Sequence, residues 1–115
     1  EAIPGASSLI AALSVAGLKS DEFIFLGFLP HKKGRQTMLK YIAEEETPVV
    51  LFESTHRIMK LLKELAEHVP GRKVTLAREL TKMYEEVLVG MPEELRALLT
   101  ATPEKQRGEF VVIVG

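Results

Sequence analysis

The residues able to do chemistry gather in four polar stretches set between apolar runs. The densest is VTLARELTKMYEEVLVG, residues 74–90, where Arg78, Glu79, Lys82, Glu85 and Glu86 fall within nine positions. A carboxylate there could accept a proton as a general base, and Arg78 or Lys82 could bind phosphate or polarise a hydroxyl. A salt-bridged connection between antiparallel strands explains the same residues with no ligand. The second stretch is LFESTHR, residues 51–57, in which Glu53 ends an apolar run and His56 and Arg57 follow at once. Cations in the first turn of a helix oppose its dipole, at about 0.3–1 kcal/mol. The carboxyl end of a buried strand is also where open α/β sheets bind ligands. A Glu53–Arg57 ion pair trimming the strand end is the plainer alternative.

The third stretch is HKKGRQ, residues 31–36. Between Phe23 and Ala43 stand four cations, Lys32, Lys33, Arg35 and Lys40, with no acid and with His31 beside them. That segment carries +4 in a chain of net charge -1. Gly34 at its centre argues for a mobile loop, and clustered Lys and Arg on such a loop suit a phosphate backbone. A solvated loop remains the other reading. The fourth is IPGASS, residues 3–8, whose Ser7 or Ser8 can cap a helix or, with free backbone N–H groups, hold a carboxylate or phosphate. Taken alone, the cap is the commoner explanation. The acids of residues 79–86 are spaced too widely for a metal cluster, and the absence of cysteine removes any cysteine-ligated site. No metal is expected.

The elements that must position these residues follow from periodicity. A short helix after Pro4-Gly5 runs through Leu9, Ile10 and Leu13 to Gly17, and EFIFLGF then reads as a strand. Residues 36–46 place Met38, Leu39 and Ile42 on one helical face, and PVVLFE has the continuous apolar character of a strand buried on both sides. Residues 55–69 form the clearest helix, with a stripe of Ile58, Leu61, Leu62, Leu65 and Val69. Strands are expected near 73–79 and 85–90. A last helix opens on Pro92, Glu93 and Glu94, and EFVVIV forms a final strand. The expected order is α-β-α-β-α-β-β-α-β, an α/β fold with a mixed sheet of five strands and four helices and one hairpin-like pair.

With 115 residues the chain can hold one domain with a real core, and 46% apolar with 27% charged residues is ordinary for a globular protein. No apolar run approaches the roughly 20 residues that span a bilayer. There is no disulfide framework and no signal peptide, which fits a cytoplasmic protein. The opening EAIPG reads like mid-chain sequence, so a single domain, 1–115, taken from a longer protein is expected.

Together the motifs IPGASSLIAALSVAGL, FLGFLPHKKGRQ, FESTHR, ARELTKMYEEV and RGEFVVIVG resemble the C-terminal half of the bacterial small-subunit ribosomal RNA methyltransferase I family. That family lies within the tetrapyrrole methylase-like superfamily. The first and last motifs are shared loosely across the superfamily; the middle three carry the resemblance to the ribosomal RNA branch. Family members often have proline where this chain has Thr55, and threonine there is expected to cap the helix. The resemblance implies S-adenosylmethionine-dependent 2′-O-methylation of a cytidine ribose in small-subunit ribosomal RNA. It further implies a cofactor cleft shared with an N-terminal domain that lies outside these 115 residues, so that the fragment alone is expected to be inactive. By the same resemblance Ser7, Ser8, Phe52, Glu53, Leu80 and Thr81 face the cofactor. Glu79 or Glu53 is the candidate base, with Arg78 and Lys82 as binding or polarising groups. Lys32, Lys33, Arg35, His56 and Arg57 are expected to grip RNA. The implied partners are small-subunit ribosomal RNA or the small subunit itself and a second copy of the chain, with no membrane. A tetrapyrrole methyltransferase domain and a non-catalytic RNA-binding or dimerisation module are the alternatives.

Overall fold

Strand β2 (Val49–Glu53) and strand β5 (Glu109–Val114) form the centre of the sheet, because their continuous apolar runs can be satisfied only with both faces covered. The computed structural model describes residues 23–81 and 84–115, and the side chains of these apart from 79–81, 84 and 85. The remaining strands are β1 (Ile24–Phe28), β3 (Val74–Thr81) and β4 (Tyr84–Gly90), in the sheet order β1-β2-β5-β3-β4. β1 and β2 are parallel, and the other neighbours are antiparallel. The mixed five-stranded sheet and the β3–β4 hairpin are those expected from the sequence.

Three helices, α1 (Arg35–Glu44), α2 (Ile58–His68) and α3 (Pro92–Ala101), are described, with a 3-10 turn at Pro103–Gln106. The fourth expected helix, in residues 1–22, lies outside the described residues, as do Ser7, Ser8 and Lys82. Leu39 and Ile42 from α1, Leu61 and Leu65 from α2, and Leu95 and Leu99 from α3 join Leu51, Leu76, Phe110 and Val112 in one core. Strand alternation sends Val50, Ala77, Val111 and Ile113 to the opposite face, where Phe23, Phe52 and Val87 pack with them.

Two helix starts differ from expectation for local reasons. α1 begins at Arg35 rather than residue 36, directly after Gly34, whose φ of 86° suits a residue without a side chain. Gly34 therefore ends the basic loop instead of lying in its middle. α2 begins at Ile58, three residues later than expected, because the Ser54 carbonyl accepts the N–H groups of both Arg57 and Ile58 in a tight turn. Thr55 does not cap that helix. Its hydroxyl donates to the Gly108 carbonyl at 2.7 Å, tying the turn to the entrance of β5.

β1 carries a bulge between Phe25 and Gly27, with Gly27 at φ 69°. The extra residue reverses the alternation, so Phe25 and Phe28 both end beside Phe52, at ring-centroid distances of 5.1 and 5.6 Å.

Candidate active site

Strand register, more than proximity in sequence, assembles the site. β2 pairs Phe52 with Phe28 of β1 and with Val111 of β5; the next row aligns Glu53, Phe110, Arg78 and Glu86. One residue further out, Glu109 aligns with Glu79 and Glu79 with Glu85. The carboxyl ends of β1, β2 and β3 and the amino ends of β4 and β5 therefore share one edge of the sheet. Three of the four stretches singled out in the sequence meet there: HKKGRQ follows β1, FESTHR ends β2, and ARELTKMYEE makes the end of the hairpin.

A cavity of about 310 Å³ opens at this edge, lined by Phe28, His31, Glu53, Ser54, His56, Arg57 and Glu109. Glu53 is its most constrained group, only 3% exposed. One carboxylate oxygen accepts the Ser54 N–H at 2.9 Å. Among the described residues it makes no ion pair, so the alternative of a Glu53–Arg57 bridge is not what the structure shows. Burial pushes its carboxyl above the ordinary glutamate value, and the Ser54 N–H, then Arg35, Arg57 and His31, oppose that in part. His31 and His56 are exposed and Arg57 is half-buried, so the Arg57 cation stands at the mouth and the buried Glu53 carboxylate at the floor. Lys32 and Lys33 are exposed on the adjoining loop.

Two cations expected at the site face inward instead. Arg35 is 2% exposed; its Nε and Nη2 donate to the Glu64 carboxylate at 2.6–3.0 Å and its Nη1 to the Pro30 carbonyl at 3.0 Å. It joins α1 to α2 and is removed from the RNA-binding set. Arg78 is likewise buried, donating Nε and Nη2 to Glu86 at 3.2 and 2.9 Å and Nη1 to the Glu104 and Arg107 carbonyls. Those bonds fasten the hairpin to the 3-10 turn and use four of the five N–H groups of the guanidinium. Arg78 is therefore committed mainly to holding the fold in this arrangement. Glu86 pairs with Lys105 and Arg78, which together hold its carboxyl below the ordinary value.

The backbones of Glu79, Leu80 and Thr81 lie at the same edge, where the register shifts between Glu79 and Thr81. Phe52 is half-buried on the face opposite the helices. The sequence reading missed Glu109 and Phe28 as site residues. The acid that opens the otherwise apolar EFVVIV and the aromatic just before HKKG were the available signals. No group of three or more potential metal ligands occurs among the described residues, and no described helix is long and apolar enough to cross a membrane.

Residues 1–96 match the family model for tetrapyrrole (corrin/porphyrin) methylases. The chain is 44% identical over 114 residues to the ribosomal RNA small subunit methyltransferase I of Erythrobacter litoralis, covering 98% of this chain and 40% of that protein. It is 41% identical to the protein of the same name from Neisseria meningitidis serogroup B, covering 97% of this chain and 39% of the relative. The chain thus spans about 40% of the length of these relatives. A cobalt precorrin-4 methyltransferase of cobalamin biosynthesis superposes with a TM-score of 0.65 at 20% identity, over 100% of this chain and 51% of that one. That likeness concerns the fold alone. On the strength of the family match, the chain belongs to the tetrapyrrole methylase family, in the branch whose curated members are named ribosomal RNA small subunit methyltransferase I.

Proposed function

We propose that this chain is the C-terminal part of an S-adenosylmethionine-dependent methyltransferase acting on small-subunit ribosomal RNA, at the 2′-hydroxyl of a cytidine ribose. The observation that carries this reading is a buried carboxylate, Glu53, on the wall of a cavity with the Arg57 cation at its mouth. It occurs in a chain whose relatives are named for ribosomal RNA methylation. The part of those relatives that the chain does not span supplies the rest of the cofactor cleft.

The residues present fit such a cofactor. Phe52, with Ala77 and Val111 behind it, offers an apolar surface, and the carboxylates of Glu53 and Glu109 beside it complement ribose hydroxyls and positive charge. Phe52, Glu53, Leu80 and Thr81 form this chain's share of the cofactor wall, together with Ser7 and Ser8 outside the described residues. S-adenosylmethionine, when bound, supplies an electrophilic methyl group. The chain's own task is then positioning and proton removal, and fixing the hydroxyl in line can supply several kcal/mol of the barrier reduction. Glu53 accepts the hydroxyl proton; its raised basicity suits that role, and the Ser54 N–H fixes the carboxylate's orientation. Glu79, in the neighbouring row of the sheet edge, is the second candidate. Lys32, Lys33, His56 and Arg57 hold RNA phosphates; Lys82, outside the described residues, keeps its proposed part in binding phosphate or polarising the ribose. A homodimer in the cytoplasm completes the proposal.

A tetrapyrrole substrate is disfavoured by the exposed lysine pair on the loop adjoining the cavity, since a porphyrinoid needs an apolar cleft. The deciding experiment maps ribose methylation in small-subunit RNA from cells with and without the gene. One 2′-O-methyl mark should vanish with the gene and return with the intact copy, but not with Glu53→Gln. An unchanged map would overturn the assignment, while restoration by Glu53→Gln would move the base to Glu79. Binding measurements give a second check: Lys32→Ala with Lys33→Ala should weaken RNA binding and flatten its log–log salt dependence by about 0.7 for each phosphate no longer neutralised. An unaltered slope would remove the loop from the RNA surface.

A further inference from the structure

The methyltransfer reading leaves unexplained why three phenylalanines gather at the sheet edge with two of them in solvent. Phe25 is 53% exposed and Phe28 is 40% exposed, each packed edge-on against Phe52. The arrangement follows from the Gly27 bulge; regular alternation would have placed Phe25 and Phe28 on opposite faces of the sheet. A Cβ at position 27 would lie 3.8 Å from the Phe25 ring, and the positive φ there is itself unfavourable for any other residue. The exposed rings are thus held in place by backbone geometry. Phe28 also lines the cavity with Glu53, and the chain leaving it runs directly into His31, Lys32 and Lys33, with His56 and Arg57 across the cavity.

We infer that the Phe28 ring, braced by Phe52 and extended by Phe25, is a stacking platform for unpaired bases of single-stranded RNA. The occupant follows from charge complementarity. An aromatic face beside several cations, with no acid between Phe23 and Ala43, suits a base on the ring with its phosphates on the lysines. A methyl acceptor on ribose must be drawn out of a helix to reach a cavity floor, and a ring at the mouth offers the displaced base a surface. The inference rests on the RNA reading above, but it makes a separate prediction about how binding depends on salt. Stacking releases no counterions, whereas phosphate contacts do.

The 115-residue chain contains no tryptophan, so Phe28→Trp places a lone fluorophore on the platform. Titration with a single-stranded oligoribonucleotide of mixed sequence should quench that indole, and an abasic ribose-phosphate oligomer of equal length should not. Phe28→Ala should weaken binding about fivefold or more with the salt slope unchanged, while Phe28→Tyr keeps the parent affinity. Circular dichroism confirms that each variant is folded. Equal quenching by the abasic oligomer, parent-like binding by Phe28→Ala, or no RNA binding by the chain would overturn the platform. So would quenching by S-adenosylmethionine without RNA, which would assign the ring to the cofactor's adenine. If the oligonucleotide results hold while the cellular methylation map is unchanged by gene loss, the platform stands and the methyltransferase reading falls.

Discussion

Glu53 is a residue whose role in the site works against the stability of the fold. Its carboxyl is buried without an ion pair among the described residues, and that burial raises its pKa. A carboxyl with a raised folded-state pKa contributes stability that is complete below the ordinary glutamate value and is lost as pH rises through the folded value. Near neutral pH the ionised group is therefore a burden on the fold. Glu53→Gln keeps the shape and an oxygen to accept the Ser54 N–H while removing the charge. It should stabilise the chain by on the order of 1 kcal/mol near neutral pH, with the gain disappearing below about pH 4. Denaturant midpoints at the two pH values test this; equal gains, or a loss at neutral pH, would show that Glu53 is not held against its charge. The position of Glu53 at the cavity was legible because a lone acid ended an apolar run. Arg35 and Arg78 were misread for a related reason: composition counts charges but does not say which way a side chain turns. The partner of Arg35 lies on another helix, and the backbone acceptors of Arg78 lie beyond α3.

At the scale of elements, the Arg35–Glu64 pair decides how α1 sits on α2, and through it where the basic loop begins. Both side chains are at least nine-tenths buried, at 3% and 10% exposure, so each ion depends on the other for solvation. Arg35→Ala should destabilise the chain by about 3–5 kcal/mol because Glu64 is left buried and unpaired, whereas Arg35→Met with Glu64→Leu should be near neutral. Chemical denaturation of the three proteins forms the comparison. If the single and double variants lost equal stability, the pair would be packing alone. The double variant also isolates function, since its RNA affinity should match the parent if Arg35 takes no part in binding. Element positions were well read from periodicity, as the stripe of Ile58, Leu61, Leu62 and Leu65 shows. The starts of α1 and α2 were not, because the positive φ of Gly34 and the tight turn at Ser54 set them, and Thr55 bonds to distant Gly108 instead of capping.

For the molecule as a whole, the class of fold was readable and the strand order was not. EFVVIV shows a strand covered on both faces, but nothing in it says that β5 inserts between β2 and β3. That insertion matters, because it brings Glu109 and the hairpin into the same edge as Glu53 and makes one cavity from three distant stretches. The cavity has carboxylates on its floor and the Arg57 cation at its mouth, and this chain matches about 40% of the length of its relatives. In-line transfer demands that donor and acceptor be held together within a fraction of an ångström, from more than one side. The 115-residue chain alone should therefore bind single-stranded RNA through Lys32, Lys33 and Phe28 yet transfer no methyl group. Incubating the chain with isotopically labelled S-adenosylmethionine and small ribosomal subunits, beside a relative of full length, tests both halves of that statement. RNA binding without label transfer is expected from the chain, and label transfer from the relative. Label incorporated by the chain itself would mean that the edge described here is a complete active site.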